Sequence, residues 1–292
     1  MDITHSFNES GDFVVNVPKE IFNSSTPPST NSINDLIQNA ITNKTYKVEL
    51  ENKDYLISST VIVKQGVELI FQRKTRFLVY GNFNVIELER DAMVINPNIY
   101  IDSTDFNSAA IYVDGKHKFI NSWFRAGVVN PIINNWSGSY KGIGIHCYAN
   151  GENHEVSFVN FENAQILGME TAIKLEALKP TRGVSYVNAN RFTNLTIDDC
   201  VNFIQLSSGL TVPNECSGNQ FTNMQLQPSS KTKMLFNITG MNNQFSGMVW
   251  DLAKITTSNT IVLLSSTSSK NIFTMRNFPT SKVIDNGVGN IY

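Results

Sequence analysis

Five phenylalanines in the C-terminal half recur with matching neighbours, and no other feature restricts the fold so tightly. Phe161-Glu162-Asn163-Ala164-Gln165-Ile166 is followed by Phe192-Thr193-Asn194-Leu195-Thr196-Ile197 and Phe221-Thr222-Asn223-Met224-Gln225-Leu226. Phe245-Ser246-Gly247-Met248-Val249-Trp250 is a fourth copy, and Phe273-Thr274-Met275 starts a weaker fifth. The intervals between the phenylalanines are 31, 29, 24 and 28 residues. The preceding residues agree too, as in Asn219-Gln220-Phe221, Asn243-Gln244-Phe245 and Asn271-Ile272-Phe273. The pattern predicts Phe pointing inward, the next residue outward, and a bend at Asn or Gly. Two further inward side chains follow, which makes Trp250 a core residue on this frame. One such coil cannot bury these side chains alone, whereas stacked coils bury them in a continuous column. A β-sandwich would turn every 8–12 residues or so, and a propeller would repeat every 40–50 or so. The expected fold is therefore all-β, a single-stranded right-handed parallel β-helix. Asn at equivalent bends can adopt left-handed backbone geometry and stack its amides in a ladder.

The rest of the chain fits around this unit. Residues 1–30 read as an N-terminal arm ending in the breaker-rich linker Ser24-Ser25-Thr26-Pro27-Pro28-Ser29-Thr30. Residues 31–292 form the predicted β-helix domain. It opens with a short helix over about 32–42, where Ile33, Leu36, Ile37 and Ile41 recur at helical spacing and Asn31 or Ser32 can cap the start. From Tyr46 the period changes to two, as in Tyr46-Lys47-Val48-Glu49-Leu50. Residues 115–153 interrupt the rhythm and read as a possible loop insertion.

The opening carries a family likeness. A short helix, Tyr46-Lys47-Val48-Glu49-Leu50, Asp54-Tyr55-Leu56-Ile57-Ser58-Ser59-Thr60-Val61 and Gly66-Val67-Glu68-Leu69 follow one another. This order resembles pectin-lyase-like β-helix proteins, bacteriophage tailspike and appendage proteins above all. The resemblance covers the architecture from about residue 30 onward and specifies fold better than chemistry. One departure is Lys53-Asp54, where many members carry Gly before the Tyr. The resemblance implies a helix capping the end of the cylinder, a virion location, a host cell-surface glycan as partner, and a homotrimer. It also implies contact with other virion proteins through the arm. Asp198-Asp199-Cys200-Val201 resembles the paired-aspartate motif of polygalacturonases. Ser208-Gly209 then falls two positions late, and the Asn-Thr-Asp, Gly-His-Gly and Arg-Ile-Lys motifs are missing, so this motif carries over no activity. The alternatives to a glycan-binding virion protein are a glycoside hydrolase or polysaccharide lyase on the same fold and a purely structural virion β-helix.

Composition removes several function classes. Net charge is −2 and like charges do not cluster, so neither nucleic acid nor membrane insertion is expected. Cys147, Cys200 and Cys216 form no disulfide framework and no metal-ligand spacing, and no cofactor is expected. The start Met1-Asp2-Ile3-Thr4-His5-Ser6 does not read as a secretory signal. Asn makes up about one residue in eight, and charged residues only 16%, against roughly 25% usually. An amide-rich surface suits sugar hydroxyls, and equally follows from an AT-rich genome.

The repeat frame also nominates a site. Asp198 aligns with Leu167 in the coil before and Gln227 in the coil after, and Asp251 lies one coil further. Stacked strands lie about 4.8 Å apart, so positions two coils apart lie about 9.6 Å apart. That is near the upper limit for an inverting carboxylate pair. The candidate catalytic residues are Asp198, Asp199 and Asp251; a solvated turn is the plainer reading of Asp198-Asp199. The candidate substrate-binding residues are the outward stripe Gln165, Thr196 and Gln225, together with Gln227 and Trp136. Trp123 and Trp250 are the other large aromatics. Lys174 and Glu176 read as exposed surface beside Gln205 and Ser207, and His5, His117, His146 and His154 as scattered.

Overall fold

The computed structural model describes residues 4–7, 13–16, 30–119, 126–208, 215–256 and 260–292. Most of the expected linker, residues 24–29, lies outside these residues, as does Trp123. Strands Thr4–Phe7 and Phe13–Asn16 pair antiparallel.

The helix spans Thr30–Thr42, starting ahead of the expected caps Asn31 and Ser32. It buries Ile33, Ile37 and Ala40 against the strands Lys47–Leu50, Asp54–Ile57 and Val61–Val63. Thr30 is needed at the junction, where its hydroxyl oxygen accepts from the Ser58 N–H at 3.2 Å. Asn34 accepts from the Ile62 N–H at 3.1 Å and donates to the Thr60 carbonyl at 3.2 Å. The helix thereby satisfies backbone groups beside a strand that ends its sheet among the described residues, which blunts an otherwise open edge.

Beyond the helix the fold is all-β, built of stacked parallel strands. The chain runs through three strand positions in turn and then returns to pair one strand further along. The first run begins at Lys47–Leu50 and passes through Glu68–Phe71, Met93–Ile95, Gly127–Val129, Asn160–Glu162 and Arg191–Thr193. The second begins at Asp54–Ile57 and passes through Arg76–Val79, Asn98–Ile101, Ile132–Asn135, Gln165–Leu167 and Thr196–Asp198. Both reach the long strand Gln220–Gln227, which joins them into one 15-stranded sheet. A nine-stranded sheet holds the third run, from Val61–Val63 to Val283–Asp285. His154–Ser157 and Ser185–Asn188 form a short parallel pair of their own.

Parallel register places like residues over one another, and this makes the core. Phe161, Phe192, Phe221, Phe245 and Phe273 stack with centroids 4.5, 4.6, 5.0 and 4.5 Å apart and planes within 10°. Each fully buried ring contributes about 1.5–3 kcal/mol. The same column continues upstream as Val128, Val94, Leu69 and Val48. The three cysteines are buried free thiols.

Two asparagine ladders hold the bends. Asn96, Asn130, Asn163, Asn194 and Asn223 all have φ between 55° and 57°, and each amide donates to the one before it at 2.6–2.9 Å. The second ladder is buried: Asn190, Asn219, Asn243 and Asn271 donate in turn to the next, ending on Asn290, at 2.9–3.1 Å. Each also donates to a main-chain carbonyl, so both amide protons are satisfied away from water.

Two expectations change. Phe221 pairs with Phe245, but Met224 pairs with Gly247 and Leu226 with Val249. The fourth rung is one residue short, and Gly247 absorbs the loss at φ 145°, where a Cβ would lie 2.2 Å from the Met224 carbonyl oxygen. Val249 therefore takes the inward place, and Trp250 is 44% exposed instead of core. Residues 115–153 also hold regular strands: Gly127–Val129, Ile132–Asn135 and Ile143–Ala149 pair in register with neighbours on both sides.

Candidate functional site

The outer surface of the second strand run forms the floor of a groove of about 570 Å³. Tyr100, Asn134, Leu167, Asp198 and Gln227 occupy one register position on successive strands. Trp250 lies beside Gln227, since its N–H donates to the Leu226 carbonyl. The four steps of about 4.8 Å from Tyr100 to Gln227 give a trough on the order of 19 Å long. Of the candidate residues, Asp198, Asp199, Asp251, Gln165, Thr196, Gln227 and Trp136 all line it. Gln225 continues the stripe beside Thr196 but stands exposed outside the groove lining. Asp251 sits one position past the place the repeat frame gave it, because of the short fourth rung.

Asp198 is the group most altered by this setting. Burial, with the neighbouring Asp199 carboxylate adding to it, pushes its carboxyl up to about 6. Asp251 pushes the same way, while Lys254 and the Asp199 backbone N–H oppose. Asp199 has a left-handed backbone, φ 47°, and its carboxylate accepts from the Tyr140 hydroxyl at 2.5 Å. Asp251 starts the short 3-10 turn Leu252–Lys254 and pairs with Lys254 at 3.4 Å. The site thus sets one carboxyl, raised mainly by burial, beside two other aspartates.

The walls are braced loops. Asn135 accepts from the Ser137 hydroxyl at 2.6 Å and donates to the Lys141 carbonyl at 3.0 Å, closing the turn that carries Trp136 and Tyr140. A second loop is fixed through Thr232, which accepts from the Ser229 N–H at 3.0 Å and donates to the Cys200 carbonyl at 2.9 Å. Trp136 lies on Tyr100 with centroids 4.0 Å apart. The Trp136 indole nitrogen and the Asn134 amide oxygen are covered and hydrogen-bond to nothing among the described residues.

Sequence reasoning missed Tyr100, Asn134, Tyr140 and Lys254. It also missed a polar cluster on the nine-stranded sheet, where Glu176 joins His146 at 3.1 Å and Lys174 at 2.9 Å. Glu87 likewise joins His117 at 2.9 Å and Lys116 at 2.7 Å. Hydrogen bonds from His117 and His146 are the main reason that Glu87 and Glu176 are held down at about 2, against the opposing effect of burial. The signal was present in the register, which sets His146 beside Lys174 and Tyr148 beside Glu176. These groups pair with one another, Glu176 with His146 across neighbouring strands, so the cluster braces the sheet. Among the described residues no group of three or more His, Cys, Asp or Glu is arranged to hold a metal ion.

Compared with known proteins, the chain matches no family model and no curated protein sequence.

Proposed function

We propose that the stacked sheets form a right-handed parallel β-helix of the pectin-lyase-like, tailspike kind, and that its groove holds a host cell-surface polysaccharide. The observation that carries this reading is the trough itself. It runs across successive strands with an aromatic pair, Tyr100 and Trp136, at one end. Amides and hydroxyls of Gln165, Thr196 and Gln227 lie along it. Such a lining suits a chain of sugar rings, with apolar faces to stack and hydroxyls to hydrogen-bond. The tailspike likeness of the opening adds a virion setting, attachment through the arm, and a homotrimer to the proposal.

A second reading is favoured by one further observation. Asp198 holds its proton to about pH 6 beside the Asp199 and Asp251 carboxylates, which suits a glycoside hydrolase with Asp198 as acid and Asp251 as base. Labelled protein incubated with whole cells and their extracted polymer separates the two. Binding without loss of polymer size, weakened by Trp136→Ala, supports the binding protein. Release of oligosaccharides that stops in Asp198→Asn and Asp251→Asn supports the hydrolase. Absence of any cell or polymer binding overturns both.

A further inference from the structure

We propose that the groove accepts an uncharged glycan and turns away polyanionic ones such as uronic-acid, sulfated or phosphodiester polymers. This rests on the glycan-binding reading above and narrows it to a class of ligand.

The charges around the groove point one way. Its lining carries three carboxylates, Asp198, Asp199 and Asp251, and one ammonium, Lys254. That ammonium already pairs with Asp251 at 3.4 Å. Two nearby cations have contacts of their own. Arg76, 6.0 Å from the Tyr100 ring, is forked onto both oxygens of Asp54 at 2.6 Å. Lys231 sits 5.8 Å over the Tyr140 ring. Anionic sugars are gripped by Arg forks or by unpaired Lys aimed at the ligand, and among the described residues the lining presents neither. A carboxylate or phosphate drawn along this floor would pass the Asp198–Asp199 pair, where the ammonium among the described lining residues, Lys254, is already paired.

The state of Asp198 agrees. The groups that bear on it are Asp199, Asp251 and Lys254, and their balance together with burial already favours its neutral form. A further negative charge beside it would act in the same unfavourable sense as Asp199 and Asp251. The apolar part of the lining, Tyr100, Ile132, Leu167 and Trp136, offers surface for methyl or ring faces instead.

The test uses the full chain and a panel of immobilised bacterial polysaccharides. Uncharged polymers are set beside uronic-acid, sulfated and phosphodiester ones, and each uronic-acid polymer also beside its carboxyl-reduced form. Binding is measured at about pH 8 and low ionic strength, where repulsion is least screened. The expected result is retention of uncharged polymers, and at least about tenfold tighter binding of a carboxyl-reduced polymer than of its acidic parent. That gap should shrink in Asp251→Asn and at about pH 5, where Asp198 is protonated. A polyanion as the tightest ligand, or weaker binding after carboxyl reduction, overturns the proposal while leaving the glycan-binding reading intact. No binding to any polymer overturns that reading and this one with it.

Discussion

Replacing Asp198 by Asn should make the protein more stable at neutral pH, and the effect should disappear in acid. The carboxyl is raised from 3.8 to about 6 in the folded chain, mainly by burial. Between those values the folded form binds more protons than the unfolded one, so stability falls as pH rises through the window. Above about pH 6 the whole penalty stands. A shift of roughly two units corresponds to about 3 kcal/mol at most. Part of the group still meets solvent, and screening reduces this to about 1–2 kcal/mol. For a chain of this size that is a rise of about 2–6 °C in Tm. Asn keeps the shape and cannot ionise, so the gain should be complete at about pH 8 and absent near pH 4. Thermal unfolding followed by circular dichroism at both pH values, at one scan rate, measures it. Equal Tm values at pH 8 would refute the argument, since a carboxyl free of penalty gives Asn nothing to relieve. An equal gain at both pH values would assign the effect to something other than ionisation. A destabilising carboxylate kept on a groove floor is what a working site, and not a solvated turn, would retain.

Three further outcomes follow from the packing. Phe192→Ala, with rings on both sides, should lower stability by about 3–5 kcal/mol, and Phe273→Ala, at the end of the stack, by less; denaturant titration of both variants checks the order. Asn219→Ala leaves its neighbours Asn190 and Asn243 each short of a buried partner and should cost about 2 kcal/mol or more. By the same titration it should exceed Asn163→Ala, whose ladder lies at an exposed bend. Glu176 and Glu87 lie below the ordinary carboxylate value in the folded chain. Their contribution is therefore present above about pH 4.5 and is lost as pH falls towards about 2. Glu176→Gln should be less stable than the parent at pH 7 and converge on it in acid, measured by Tm against pH.

Much of the groove was legible because sequence offset and spatial register are the same quantity in stacked parallel strands. Once Phe161, Phe192 and Phe221 are aligned, Leu167, Asp198 and Gln227 must share one outward line, and they do. The alignment lost its marker upstream, where the Phe column is made of Val128, Val94, Leu69 and Val48. Tyr100 and Asn134 therefore had no visible frame, although Asn96 and Asn130 extend the same ladder. Trp250 was misplaced for a different reason. A single missing residue at Gly247 reverses which side chains face in, and local spacing does not announce it. The buried ladder of Asn219, Asn243 and Asn271 was visible as a recurring residue, but its depth follows from three-dimensional neighbours.

The short rung has a wider consequence. Because the glycine takes up the deletion at a corner, the interior column continues with Val249 in place while the outer residues shift by one. This length change at a corner thus keeps the Phe245 and Val249 columns in register, gives up the inward side chain at the Met224 position, and re-deals the outer residues. A molecule built this way can revise its recognition surface one corner at a time, without first having to find a new way to hold itself together.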